Sequence, residues 1–361
     1  MIITADRKAL SAAITRAAQG IGSRPIKPVH AGMLISALDD DIWLSGGDDD
    51  VSFTSSASAV VHEEGSVILP GKMLNDITKY WTKDEVRIEA DPPLARVITS
   101  NSVFTVSCSD GKYYPAWTAP PPPLGQLGAE EFADAVKKVI PAASDVEDLL
   151  KTVMLSVEND RLLMVSTDRY KMAVMSPLLA SVSLFADAGS FPPEVLIPNW
   201  IFSRFARVTD KEVSFGWNDK LIMLGTEGLS VTARQFQGKF IANWRKVMDS
   251  EPAKCCSAET TELLRAVRMA QLASGDDDGI EMTFLPGNIA ISARGDKGTS
   301  VSDVPCDYQG EDVTFAFGAQ MVIDALGACE DETHLAFSAP PAPLFLRSEG
   351  LRFMLKPRRE L

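Results

Sequence analysis

DRKALSAAITRAAQGI, Asp6 to Ile21, sets Leu10 and Ile14 four residues apart, an apolar stripe on an otherwise polar helix. The design returns twice. In AEEFADAVKKVIPAA, Ala129 to Ala143, Phe132 and Val136 hold the equivalent places; in ETTELLRAVRMAQLAS, Glu259 to Ser274, Leu263 and Val267 do. Short alternating strands follow each helix. They read HAGMLISAL, DIWLSGG and DDDVSFTSSASAV in the first unit, and TVMLSVEND, RLLMVSTD and YKMAVMSPL in the second. The third has IEMTFLPGN, IAISARGD and GTSVSDVPCDY. Asn159-Asp160, Pro286-Gly287-Asn288 and Gly295-Asp296 are tight-turn chemistry.

A second helix follows a strand in every unit, within Val67 to Trp81, Val195 to Val208 and Phe315 to Cys329. Pro70 and Pro198 stand at the strand-to-helix step, where the missing N–H has no helical partner to lose, and Gly318 or its neighbour takes that place in the third unit. Further strands close each unit, from EVRIEAD and SVFTVSCSD in the first to APLFLRSEG and LRFMLKP in the last. These landmarks recur about every 120 to 130 residues, the size of one domain. The run Ala119 to Pro123 reads as a stiff connector and Met248 to Ala258 as a polar, irregular one. The pattern predicts an α+β protein of three repeated domains, 1–120, 121–248 and 249–361, each with two helices and many strands.

Composition narrows the function. The chain has 361 residues, 45% hydrophobic and 23% charged, with a formal net charge of -14. That balance suits a globular protein and argues against one that coats nucleic acid with its whole surface. No run of 18 uncharged apolar residues and no secretory signal are visible, so a cytoplasmic location is expected. Five cysteines, with Cys255 and Cys256 adjacent, suit neither a disulfide framework nor a zinc site, so free, mostly buried thiols are expected. Three scattered histidines make a metal centre improbable. The acidic triplets Asp39 to Asp41, Asp48 to Asp50 and Asp276 to Asp278 read as solvated turns. Neither cofactor nor metal is expected.

Basic residues fall on the helices at same-face spacing: Lys72 with Lys79, the neighbours Lys137 and Lys138, Arg204 with Arg207, and Arg265 with Arg268. Any one pair alone is most simply a solvated helix face. Recurrence across three units of an acidic chain points instead to a surface that tracks phosphates without reading bases. No GxxxxGK[ST], GxGxxG, GxSxG or HExxH motif competes with that reading.

At this point the residues resemble a known family, the bacterial β sliding clamp, the processivity subunit of the replicative polymerase. Gly22-Ser23-Arg24-Pro25 looks like the family's Arg-Pro loop, and VILPGKMLNDI like its LP-x-[KR]-x-[LF] helix start. STDRYKMAV is similar to ATDG[HY]RLA, GKFIANWRKVM to G[KR]FPDYRRV, and FAFGAQMVIDAL to FN-x-x-Y-[LV]-x-[DE]-[AV]-L. The resemblance spans the whole chain in order. It implies a homodimer of head-to-tail subunits, a closed ring whose helices line the inside and whose antiparallel sheets lie outside. Double-stranded DNA would pass through, held at Arg24, Lys72, Lys79, Lys137, Lys138, Arg204, Arg207, Arg265 and Arg268. Phe104, Gln271 and Leu272 would sit at the subunit interface, Gln271 departing from the usual apolar residue.

The resemblance also implies a groove for short peptides of the polymerase, the clamp loader and other partners. Position by position it would use Leu150, Lys151, Thr167, Arg169, Tyr170, Lys171, Met172, Ile241, Val247, Met248, Met354, Leu355, Lys356, Pro357, Arg358 and Arg359. Here the sequence departs from its relatives. Arg169 replaces the Gly of TDG, Ile241 the usual Pro, and the tail KPRREL carries basic residues where the family has apolar ones. Arg169, Lys171, Lys356 and Arg358 together predict a preference for more acidic peptides, and the divergent tail leans towards a phage- or plasmid-borne member. Two other readings compete. A multi-domain scaffold without DNA encirclement would scatter its basic residues over all faces. A hydrolase built on the Thr167-Asp168 tip would need a general base and an oxyanion site that the sequence does not offer.

Overall fold

The computed structural model describes residues 1–82, 84–158, 161–176, 183–184, 194–208, 211–250, 252–275 and 279–359. Asn159-Asp160, Asp276 to Asp278 and the final Glu360-Leu361 lie outside the described residues. Seven α-helices are described: α1 (Arg7–Ala18), α2 (Gly71–Thr78), α3 (Ala129–Val139), α4 (Asn199–Phe205), α5 (Trp244–Met248), α6 (Thr260–Ser274) and α7 (Ala319–Leu326). The repeat is stricter than expected. Each third of the chain runs strand, helix, three strands, strand, helix, three strands, with the two-residue strands Ser109–Asp110 and Ser183–Leu184 and the short α5 as additions.

The first third opens with Ile2–Asp6 and α1. Gly32–Leu38, Asp41–Gly47 and Val51–Glu63 follow, then Gly65–Pro70, α2, Glu85–Asp91, Leu94–Thr99 and Ser102–Ser107. The second has Gly125–Gly128 and α3, then Thr152–Glu158, Arg161–Thr167 and Lys171–Met175, then Val195–Pro198, α4, Glu212–Trp217, Leu221–Thr226 and Leu229–Arg234. The third has Lys254–Glu259 and α6, then Gly279–Leu285, Asn288–Gly295 and Gly298–Pro305, then Val313–Gly318, α7, Glu332–Phe337, Leu344–Ser348 and Leu351–Leu355. Lys254–Glu259 corrects the expectation of an irregular connector from Met248 to Ala258. That segment is polar because its outer face is solvated, while Cys256 and Ala258 alternate inward.

The described residues form two compact units. The first comprises those within Met1–Glu130, Leu184–Pro192 and Arg204–Gln235; the second, those within Glu131–Ser183, Pro193–Ser203 and Phe236–Leu361. In the first unit Val51–Glu63 is the hub of a fourteen-stranded sheet. It pairs antiparallel with Ile2–Asp6 and Asp41–Gly47, and with Leu229–Arg234 in the register Leu229↔Ser55 to Ala233↔Val51. One end of that sheet is Ser102–Ser107, paired among the described residues only to Leu94–Thr99. The second unit holds an eight-stranded sheet, in which Lys171–Met175 pairs with Leu351–Leu355 (Met172↔Met354), and a four-stranded sheet edged by Gly298–Pro305.

Helical periodicity explains the cores. Leu10, Ala13, Ile14 and Ala17 of α1 are buried in the first unit with Ile3, Ile35, Leu69 and Ile88. Asp6 caps α1 by accepting from the Ala9 N–H at 2.9 Å. A Cβ on Gly20 would stand 2.0 Å from the Gly46 carbonyl oxygen, so the end of α1 needs glycine to approach its sheet. In the second unit Phe132 and Phe202 meet at 5.9 Å between ring centres, and Phe284, Phe315 and Phe337 fill the space beside the four-stranded sheet. Each such ring contributes roughly 1.5–3 kcal/mol by leaving water.

The thiols are free, but only Cys108 and Cys256 are buried; Cys255 is exposed. The Asp48 carboxylate accepts from the Asp50 and Val51 N–H groups, closing a turn. Among the described residues no helix is long and apolar enough to cross a membrane, and no group of three or more His, Cys, Asp or Glu is arranged to hold a metal ion.

Candidate functional site

The turn between Arg161–Thr167 and Lys171–Met175 is built by its own side chains. Thr167 Oγ1 donates to the Lys171 carbonyl at 2.7 Å and accepts from the Arg169 N–H at 3.0 Å. Asp168 accepts from the Tyr170 and Lys171 N–H groups at 2.8 and 2.7 Å. Both polar side chains are thereby committed to shape. Arg169 has φ 77°, the left-handed region that favours glycine, so the position matched to the Gly of the TDG motif by resemblance here holds an arginine at a cost of about 1 kcal/mol. Its guanidinium offsets part of that by bonding Glu147 at 2.5 Å. Tyr170, at the apex, is 64% exposed.

Behind the turn lies an apolar cluster. It unites Met172, Met248 and Met354 with Met154, Val165, Leu196, Phe240, Trp244 and Phe345, and half-buried Leu149, Ile241 and Val247 pack against it. The expected groove residues Met172, Ile241, Val247, Met248 and Met354 are thus brought together. Leu150 is not among them: it is buried elsewhere, and Leu149 takes the place beside the cluster. Phe240 and Trp244 were not singled out from the sequence, although GKFIANWRKVM contains both. The Arg245 guanidinium stacks 4.3 Å from the Trp244 ring. Leu355 and Pro357 are buried, and the tail crosses over, the Arg358 N–H donating to the Ala316 carbonyl at 2.8 Å.

The charges around this cluster differ from expectation. Lys171 is held by Asp324 of α7, Lys151 by Asp148 at 2.9 Å, and Arg169 by Glu147. Arg245 is bridged by Glu158 and by Glu194 at 2.8 Å. Arg169 and Lys171 therefore do not supply free charge to a visitor. Lys356 is different. Its N–H donates to the Tyr170 carbonyl at 2.8 Å, and its exposed ammonium lies 5.7 Å from the Tyr170 ring centre. Arg359 is exposed as well.

The expected DNA-facing cations fall into two classes, and not all are on helices: Arg24 lies in the loop after α1, and Lys79 and Arg207 lie just past the ends of α2 and α4. Arg24, Lys72, Lys137, Arg207 and Arg268 are exposed, and none is held by a carboxylate among the described residues. Lys79 pairs with Asp76 at 2.7 Å and Arg265 with Glu262, each along its own helix. Lys138 departs most from the expected solvent-facing cation, being 7% exposed. Burial pulls its pKa down, but bonds to Asp134 (2.8 Å) and Glu330 (3.0 Å) outweigh that and hold it above its ordinary value. Arg204 is half-buried and donates to the Gln19 carbonyl at 2.7 Å, capping the end of α1. Lys8 of α1, exposed, joins the first class and was missed because it has no basic partner at helical spacing.

Two strand edges carry exposed apolar side chains. Ser102–Ser107 presents Val103 (52%) and Phe104 (42%). Gly298–Pro305 presents Val301, and beside it α6 presents Met269 and Leu272, the last 76% exposed. Gln271 is half-buried, its amide 3.4 Å from the Gln320 side chain. Exposed apolar strand edges are uncommon unless something covers them.

Comparison with known proteins adds the family. Residues 1–118, 126–241 and 245–351 match, in order, the N-terminal, central and C-terminal domains of the DNA polymerase III beta subunit. The beta sliding clamp of Streptomyces coelicolor is 28% identical over 355 residues, covering 96% of this chain and 93% of that protein. That of Micrococcus luteus is 26% identical over 86% of this chain and 100% of its own. The solved sliding clamp of Pseudomonas aeruginosa bound to griselimycin shares the fold, with a TM-score of 0.90 at 21% identity over 100% of both chains. The chain belongs to the DNA polymerase III beta-subunit family, the bacterial β sliding clamps.

Proposed function

We propose that two copies of this clamp close head to tail around duplex DNA and carry partner proteins by short peptides docked beside the Thr167–Lys171 turn. Strand pairing carries the reading. At each junction within the chain, the fourth strand of one repeat pairs with the last strand of the next: Val51–Glu63 with Leu229–Arg234, and Lys171–Met175 with Leu351–Leu355. That rule leaves two strands over, the fourth strand of the last repeat, Gly298–Pro305, and the last strand of the first, Ser102–Ser107. Among the described residues they are the two edges with exposed apolar residues. One heterologous contact, used twice, satisfies both and closes a ring.

Around the DNA, Arg24, Lys72, Lys137, Arg207 and Arg268 would supply weak, sequence-independent phosphate contacts, the kind that permit sliding. Lys138 and Arg204 act in the fold instead. No chemistry is required of the Thr167-Asp168 tip: the family is a non-catalytic processivity subunit, and both side chains are used by the turn. The reading needs no cofactor and no membrane and fits a cytoplasmic protein working on the replicating chromosome or on a phage or plasmid. The domains would divide near 120 and 248. Sedimentation tests the ring: a species of twice 39.1 kDa at micromolar concentration is expected. A monomer there overturns it.

A further inference from the structure

The cations of the docking turn raise a question of selectivity. Lys151, Arg169, Lys171 and Arg245 are all neutralised within the chain. Lys356 is exposed and paired to no carboxylate among the described residues, yet it is not loose. Its backbone extends the Lys171–Met175/Leu351–Leu355 ladder by one bond to Tyr170, and its ammonium sits over the Tyr170 face. A cation held on an aromatic face, one residue beyond Leu355 and two beyond Met354 of the apolar cluster, is pre-organised to meet an anion at the rim.

We propose that Lys356 is a specificity-determining residue that selects partner peptides carrying an Asp or Glu beside their apolar anchor. The proposal rests on the docking reading above and adds the charge of the ligand. The anchor would bury apolar area against the methionine-rich cluster, while the carboxylate pairs with Lys356 as Tyr170 steadies the lysine stem. Four neighbouring cations already have partners, and among the exposed ones Lys356 is the one held on an aromatic face beside Met354 and Leu355, so its charge sets the preference. A rim ion pair in partly screened surroundings is worth a factor of about three to five in affinity.

The test uses the full chain and two labelled peptides, Gln-Asp-Asp-Leu-Ser-Phe and its isosteric counterpart Gln-Asn-Asn-Leu-Ser-Phe, titrated by fluorescence anisotropy. The native protein should bind the Asp peptide about three- to five-fold more tightly at low salt, with the ratio shrinking towards one in 0.5 M salt. Lys356→Met should abolish the preference while keeping the Asn peptide bound, and Lys356→Glu should reverse it. Both variants should melt with the native protein, since the side chain is exposed. Equal binding of the two peptides to the native protein overturns the inference and leaves the docking site standing. A preference that survives in Lys356→Met also overturns it, assigning the charge to another cation. If neither peptide binds, the docking reading itself fails.

Discussion

The seam between Lys171–Met175 and Leu351–Leu355 and the open edges at Ser102–Ser107 and Gly298–Pro305 occupy the same places in the repeat, yet they carry different residues. The seam buries Met172, Ala173, Phe353, Met354 and Leu355. The open edges expose Val103, Phe104 and Val301. Both are apolar strands with hydrogen bonds to make. A seam inside one chain closes without a concentration cost, so its residues belong to the core; an edge that waits for a second copy must remain tolerable in water. The comparison predicts that substitutions in the two regions fail in different ways.

The largest effect is expected at the seam. Met354→Asp would bury a carboxylate in the apolar cluster and cost about 4 kcal/mol of stability, read by urea unfolding. At the edge, Phe104→Asp should leave the unfolding midpoint of the monomer nearly unchanged but weaken self-association about 100-fold, or about 3 kcal/mol, read by sedimentation. If Phe104→Asp unfolds the chain and leaves the association constant of the folded fraction intact, the distinction is wrong.

Charged residues divide in the same way. Alanine at Arg24, Lys72, Lys137, Arg207 and Arg268 together should weaken DNA binding and lower the slope of log affinity against log salt by about one per lost contact. Lys138→Ala should leave that slope alone and cost about 1 kcal/mol of stability, because its carboxylate partners stay partly hydrated. A slope change from Lys138→Ala equal to that of Lys137→Ala would place both in the same class.

Much of this was legible in the sequence, for a physical reason. The 3.6-residue stripe located every long helix, and the strand-helix steps at Pro70 and Pro198 fell where the structure has them. The strand opening each third was missed, because four to six residues running straight into a helix carry too little alternation to stand out. Among site residues, Met172 and Met354 could be named from motifs. The neutralised state of Arg169 and Lys171 could not, since Glu147 and Asp324 lie 22 and 153 residues away. Lys137 and Lys138 are adjacent letters, yet one faces water and the other the core; helical phase decided that, not composition.

Smaller effects follow from burial. Burial pushes the Cys256 thiol well above its ordinary value of 9.0 and the Tyr114 hydroxyl up to about 12. Above about pH 9 the unfolded thiol releases its proton while the folded one keeps it, so the folded state binds more protons and stability falls as pH rises. Urea midpoints at pH 7.5 and pH 10 should show the decline, and Cys256→Ala should lessen it. The smallest effect belongs to the turn. Arg169→Gly relieves the left-handed strain but loses the Glu147 bond, a net gain of about 0.5 kcal/mol, whereas Arg169→Ala loses the bond and keeps the strain. The order of melting temperatures should be Gly, then Arg, then Ala.

The most direct test of the central claim is retention on DNA. Loaded by its cognate clamp loader onto nicked circular DNA, the protein should co-elute with the circle and be released when a single cut makes it linear. The account predicts that Phe104→Asp abolishes retention on the circle. Equal retention on circular and linear DNA would contradict encirclement and leave only a protein that adheres to phosphates.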